Sequence, residues 1–325
     1  MAENSIFPLL NTGSAWNLRW YTKRNGQIVV RQLHNGAGKG IRTPERMLIE
    51  CRWSNTVHEW KVLMPNLHYL FTKKEKRLSD YNAFMQVNAS RSRVFLTKEE
   101  SRLGACVMEP GLIVSLGDDE KAKAINVRLS DDKSRVETDI CLGDLVLDEA
   151  TTVGLFASAL MANNPVLFSN LKQHQLAVLM VDQNWSAALD IPTAESYLFK
   201  IELDSNDPRP VMPILGEVNL QTHERDGRRY LGGTALSDRL VTYLHFARES
   251  GKEWICSTQN LVGVNSLLAD YQSDEALRKS IRSYGDVNRR NVMSLDADTI
   301  TYDEVYGDGD DTGGQGGNNG NTDPT

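Results

Sequence analysis

Apolar and polar residues alternate from Trp16 to Tyr21, with Trp16, Leu18 and Trp20 interleaved with Asn17, Arg19 and Tyr21, and Ile28-Val29-Val30 follows as a returning run. Period-two alternation on both sides of Asn25-Gly26, a dipeptide that accepts the two positive φ angles of a type I′ turn, predicts a β-hairpin over 15–33. After the glycine-rich stretch 34–41 the period changes. Thr43 is placed to cap a helix with Pro44 at its first position, and apolar residues recur at Met47, Cys51, Val57, Trp60, Leu63, Leu67, Leu70 and Phe71. Pro65 interrupts this run, because a proline ring clashes with the preceding helical turn. The spacing therefore predicts one helix over 44–63 and a second over 65–77, ending in Lys73, Lys74, Lys76 and Arg77. Ser79 is the expected cap of a third helix carrying Tyr81, Phe84, Met85 and Asn88. Thr97-Lys-Glu-Glu100 reads as a capping box opening a fourth.

Beyond Gly104 the texture becomes strand-like, with runs expected at 105–109, 112–116, 124–129, 134–141, 176–181 and 197–203. Residues 149–162 are apolar enough for a helix, with Asp148 as its expected cap. The loop 204–213 holds three prolines and is the expected internal boundary. Strands are expected again at 214–220, 229–231, 240–248 and 254–261, and Ser273 then caps a last helix. From residue 293 apolar content drops and the chain ends in a Gly/Asn/Asp-rich acidic tail, which composition marks as disordered. The expected class is α+β: an N-terminal β-hairpin plus helices, then a β-rich, sandwich-like body with a C-terminal helix. The expected divisions are 1–104, 105–203, 204–292 and 293–325.

Charge sharpens this map. The net charge of −7 conceals 17 Lys+Arg against 8 Asp+Glu in residues 1–105, and no basic residue against 8 acidic ones in 293–325. Such asymmetry points to an acidic partner for the N-terminal part, or to a basic segment docked on the protein's own acidic body. The residues expected to meet an anion are Arg19, Tyr21, Lys23, Arg24, Arg31, Lys39, Arg42, Arg46, Lys73, Lys74, Arg91 and Arg93. Lys and Arg neutralise phosphates and aromatic rings stack on bases, so nucleic acid fits this interleaving. Packing is the competing account of the tryptophans, since Trp16, Trp53 and Trp60 fall at expected core positions.

The remaining chemistry is sparse. Gly36–Arg42 lacks the spacing of a phosphate-binding loop, with Leu33 where the first glycine belongs and Gly40 where a hydroxyl belongs, and Ile41 breaks a dinucleotide fingerprint. The six histidines show no zinc spacing, and there is no nucleophile elbow. Asp118-Asp119 and Asp131-Asp132 fall at expected turns. Asp308–Gly313 begins like a calcium loop but breaks at Thr312 and at Asn319. Cys51, Cys106, Cys141 and Cys256 are scattered among apolar neighbours, as buried reduced thiols would be. No cofactor, metal or catalytic residue is expected. With no signal-like start and no run approaching the ~18 apolar residues of a membrane span, a cytoplasmic, non-membrane protein is expected, as a monomer or a homo-oligomer.

Arg24-Asn-Gly-Gln27, Thr43 opening an Arg-rich helix, Ser79-Asp-Tyr-Asn82-x-Phe84 with Asn88, Ser257-Thr-Gln259 and Ser283-Tyr-Gly285 together resemble an uncharacterised family of Bacteroidota proteins, over roughly residues 10–290. The resemblance implies a bacterial or phage setting, virion-associated in the latter case, and no activity, cofactor or site residue. The leading expectation is a non-catalytic binding or assembly protein whose basic region contacts an anionic partner, nucleic acid or an acidic protein surface. A structural subunit of a bacterial or phage assembly, and an enzyme whose site is built from distant loops, are the alternatives.

Overall fold

The computed structural model describes three backbone strands at 12–15, 18–22 and 28–32, and then residues 44–284 apart from 68–69, 170–171, 218–219 and 236. The strands are β1 (Thr12–Ala15), β2 (Leu18–Thr22) and β3 (Ile28–Gln32), an antiparallel meander in which Thr22 pairs with Ile28 and Arg19 with Arg31. The expected hairpin is present; its Asn25-Gly26 turn lies outside the described residues. Next come α1 (Pro44–Leu63), α2 (Asp80–Asn88) and α3 (Lys98–Leu103). Ser79 Oγ accepts from Asn82 N, and Thr97 and Glu100 form the reciprocal capping box, so both local caps act as the sequence indicates. Gly104 closes α3 in the left-handed region at φ 92°, where a side chain would be strained.

The body follows as β4 (Ile113–Ser115), β5 (Val127–Leu129), β6 (Arg135–Gly143), α4 (Val153–Asn163), β7 (Gln173–Ser186), β8 (Ile191–Glu202), α5 (Met212–Glu217), β9 (Leu220–Arg225), β10 (Arg228–Thr234) and β11 (Arg239–Arg248). The short strands β12 (Ile255–Cys256), β13 (Gln259–Asn260) and β14 (Val262–Val264) lead to α6 (Leu268–Tyr271) and α7 (Asp274–Tyr284). Two antiparallel sheets organise it: β12-β11-β7-β8, with β14 also on β11, and β5-β6-β10-β9. β7 pairs with β11 and β6 with β10, so both sheets draw strands from either side of 204–213 and cross the division expected there.

The first sheet is buried on both faces, which is why β7 reads as one apolar run. Leu176, Val178 and Met180 face a core shared with the second sheet and α4, through Ile140, Leu142, Phe156, Leu160 and Leu231. Ala177, Leu179 and Val181 face the other way, into a core with Leu63, Leu67, Leu70, Phe71 and Phe84 from the helical side. The result is three layers: helices, central sheet, then the second sheet with α4.

Several expected elements differ; the strand expected over 254–261 is split into β12 on β11 and β13 on β4. Among the described residues of 65–77 there is no helix: Leu67, Leu70 and Phe71 are fully buried, and the backbone pairs with β4's continuation instead, Leu116 N to Leu70 O at 2.9 Å and Lys73 N to Leu116 O at 3.0 Å. Helix α4 is capped by Thr152, not by Asp148, whose carboxylate closes a turn with Ala150 N and Thr151. Gly154 lets the 204–209 loop approach; a Cβ there would lie 2.5 Å from Ser205 O. Residues 212–217 form α5 rather than a strand. Residues 105–109 are not in a strand ladder, yet they are buried, and side-chain amides satisfy them: Asn55 brackets Val107, while Gln183 and Asn265 take Met108 and Cys106.

Candidate anion-binding cleft

Along β8, Ala194 and Leu198 pack toward the helices, and Ser196 Oγ donates to Val62 O at 2.7 Å. Lys200 is the next residue on that face. Along β11 the same face carries Leu240, Leu244 and Phe246, and Arg248 ends it. At this end of the sheet the cover is the segment 71–74 rather than a helix, and a cleft of about 500 Å³ opens, lined by Lys74, Gln175, Lys200, Arg248, Lys252 and Trp254 among others. The Lys200 ammonium sits 5.1 Å from the Phe246 ring centre, and the Arg248 guanidinium 4.4 Å from that of Trp254. Both contacts hold a cation on an aromatic face without neutralising it.

Four cations thus meet one lining carboxylate, Glu253. Lys74 is already paired with Asp80, and Lys252 with Glu249. Lys200 and Arg248 have no carboxylate partner among the described residues; Arg248 donates to Gln173 Oε1 at 2.5 Å. An ion seated here replaces no existing pair at those two residues. On the opposite face of the sheet end, a second cavity of about 470 Å³ shares Arg248 and Trp254 and adds Lys172 and His174.

Of the residues expected to contact an anion, Lys74 lies in this cleft and Lys73 is exposed on the same segment. Arg91 and Arg93, both exposed, lie together at another cleft. Lys23, Arg24, Lys39 and Arg42 lie outside the described residues, as do the side chains of Arg19, Tyr21, Arg31 and Arg46. Trp53 is 45% exposed, not in the core as expected, whereas Trp60 packs on Tyr81 and Phe84. Sequence reading missed Lys200, Arg248, Lys252 and Trp254. The signal for the first two was a basic residue closing an apolar alternation in each of two strands.

The Arg91–Arg93 cleft, about 590 Å³, is also lined by Glu109 and Gln272. Glu109 accepts from Arg93 N with both oxygens, each at 3.0 Å, and from Gln272 Nε2 at 2.7 Å. Its acceptors hold the 90–93 loop in place. Burial pushes Glu109 up to about 7, and Glu59, fully enclosed, is raised by burial and by the charge of Glu109. Glu59 has one donor, Asn55, and its Oε2 has none, so Glu109 ionises first and Glu59 keeps its proton. An acid raised on folding stabilises fully below its unfolded value, here 4.5, and loses that contribution as pH rises through its folded value. The contribution of Glu109 to the unfolding free energy should therefore decline between pH 4.5 and about 7. Glu109→Gln should flatten that decline in denaturant titrations.

All four cysteines are buried and free, and burial pushes the Cys51 thiol up to about 12. Among the described residues no three His, Cys, Asp or Glu side chains are grouped to hold a metal, and no helix is long and apolar enough to cross a membrane. No family model matches the chain, and no curated protein or solved structure is significantly similar to it. The functional reading accordingly rests on the geometry of the clefts.

Proposed function

We propose that this is a non-catalytic binding protein that takes an anionic partner, single-stranded nucleic acid, in the cleft of Lys74, Lys200, Arg248, Lys252 and Trp254. The observation that carries the reading is Lys200 and Arg248, two cations without carboxylate partners among the described residues, set beside an indole in one concavity. Phosphates need such cations, and a base needs a flat apolar surface to stack on. The cleft ends between strand termini, so an extended strand fits it better than a duplex. Glu109, a carboxylate raised by burial, favours a non-catalytic reading, because its oxygens are spent on backbone and amide donors.

The test is fluorescence anisotropy with labelled single- and double-stranded DNA and RNA. Four phosphate contacts on a single strand imply a salt slope of about −3, hence a roughly fifty-fold loss of affinity between about 50 and 200 mM salt. Single strands should bind more tightly than duplexes. Absence of binding at the lower salt would overturn the proposal and turn the search to an acidic protein surface.

A further inference from the structure

His174 on β7 and His245 on β11 lie on the face of the central sheet that meets α4, and both rings are buried. His174 Nδ1 and His245 Nε2 are 2.9 Å apart. The outer nitrogens face carbonyl oxygens: His174 Nε2 is 2.8 Å from Ser169 O, and His245 Nδ1 is 3.1 Å from Lys123 O. Phe168 stands edge-on to both rings, so nothing polar intervenes on that side.

A count of protons decides what this arrangement is. A carbonyl only accepts, so each outer contact requires an N–H, and the inner contact requires one proton between two nitrogens. Three contacts need three protons, and two neutral imidazoles bring two. In every neutral combination of tautomers, at least one contact sets lone pair against lone pair. One added proton satisfies all three; a second would set two N–H groups against each other. The geometry is that of a singly protonated pair.

The charged side chains sharing a cavity with His174 are Lys172 before β7, Glu202 at the end of β8, Asp204 beyond it, and Arg248 at the end of β11. Lys172 also acts on His245, and Lys123 presents its carbonyl there while its side chain is exposed; α4 contributes uncharged Met161. This cavity adjoins the proposed anion cleft, since the two share Arg248 and Trp254.

We infer that His174 and His245 take up one proton as a single unit, and that this proton strengthens anion binding in the adjoining cleft. The coupling part rests on the function proposed above; the proton count does not. Burial opposes the charge, lowering His174 and bringing His245 to about 4, while the bond to Lys123 O acts in the opposite direction. Uptake therefore falls on the acid side of the ordinary histidine range. With both values depressed on folding, the neutral pair's contribution to stability is full above about 6.5 and is lost as pH falls through the folded value. A bound anion supplies countercharge and, by reciprocity, draws the proton in at higher pH.

Two measurements test this on the full chain. The first follows histidine side-chain ¹⁵N shifts from about pH 3.5 to 8 without any ligand. Both rings should move at one shared midpoint, with one proton taken up in total. Separate midpoints, or no titration of either ring, would overturn the inference. The second measures affinity for a labelled single-stranded oligonucleotide at about pH 7.5 and about pH 4, for the wild type and His245→Gln. The added charge should tighten wild-type binding roughly three- to tenfold more than it tightens the variant. An equal gain in both proteins overturns the coupling and leaves the function reading standing. Absence of oligonucleotide binding at both pH values overturns the coupling together with that reading, while the ring titration still decides the shared proton. Should His245→Gln not fold, His174→Asn serves the same comparison.

Discussion

Replacing Gln183 with Leu should cost about 3–6 kcal/mol, since several buried backbone groups lose their partner at ~1–3 kcal/mol each. Gln183 is 6% exposed. Its Oε1 accepts from Met108 N at 2.9 Å and from Asn265 Nδ2 at 3.2 Å, and its Nε2 donates to Cys106 O at 2.8 Å and Thr193 O at 2.7 Å. A leucine fills the space and satisfies none of those four atoms. Domains of this kind hold together by about 5–15 kcal/mol, so the variant should be unfolded or close to it at 37 °C. Urea denaturation is the check: a much lower midpoint with an unchanged m-value marks lost stability of the same folded state. A loss below about 1 kcal/mol would mean that water reaches the 105–109 segment and replaces the amide.

That segment shows what was and was not legible in the sequence. Cys106, Val107 and Met108 have the composition of a strand and are buried as one would be, but they join no strand ladder. Asn55, Gln183 and Asn265, from positions 55 to 265, take the place of neighbouring strands, and no local pattern announces such a role. The same holds on α1, where the fully buried residues include Asn55 and Glu59 as well as Cys51 and Leu63. Polar residues on a core face read as misplaced until their partners are known. By contrast the caps at Ser79, Thr97 and Ser273 were readable, because a cap is a contact within four residues. The 65–77 segment shows the other limit. Its apolar spacing suits a helix, yet complete burial of Leu67, Leu70 and Phe71 against the sheet overrode that local preference.

The cleft was half legible for a related reason. Lys74 was visible as part of a charged run. Lys200 and Arg248 are separated in sequence by α5 and two strands of the second sheet, and come together only because β7 lies between β8 and β11. Strand order is not written in either strand. What the sequence does carry is the switch from apolar to basic at the end of each, Leu198 to Lys200 and Phe246 to Arg248, on the face where cover by the helices stops.

Removing those two cations is the decisive functional experiment. Lys200→Ala with Arg248→Ala should weaken single-strand binding on the order of fifty-fold at about 50 mM salt, and lower the salt slope by about 1.4, at ~0.7 for each phosphate left without its cation. Stability should fall by no more than about 2 kcal/mol, the worth of two cation–aromatic contacts at ~0.5–1 kcal/mol each. Arg128→Ala with Arg135→Ala removes equal charge from the Glu137 ion pairs on the second sheet, and should leave affinity nearly unchanged. If that control weakens binding as much, general charge governs affinity and the cleft does not. Trp254→Ala separates the remaining contribution: stacking carries ~1–3 kcal/mol per base and involves no counterion, so affinity should fall while the salt slope stays. Binding that survives all of these substitutions would move the binding surface to Arg19, Arg24 and Arg31, whose joint neutralisation is then the next variant to make.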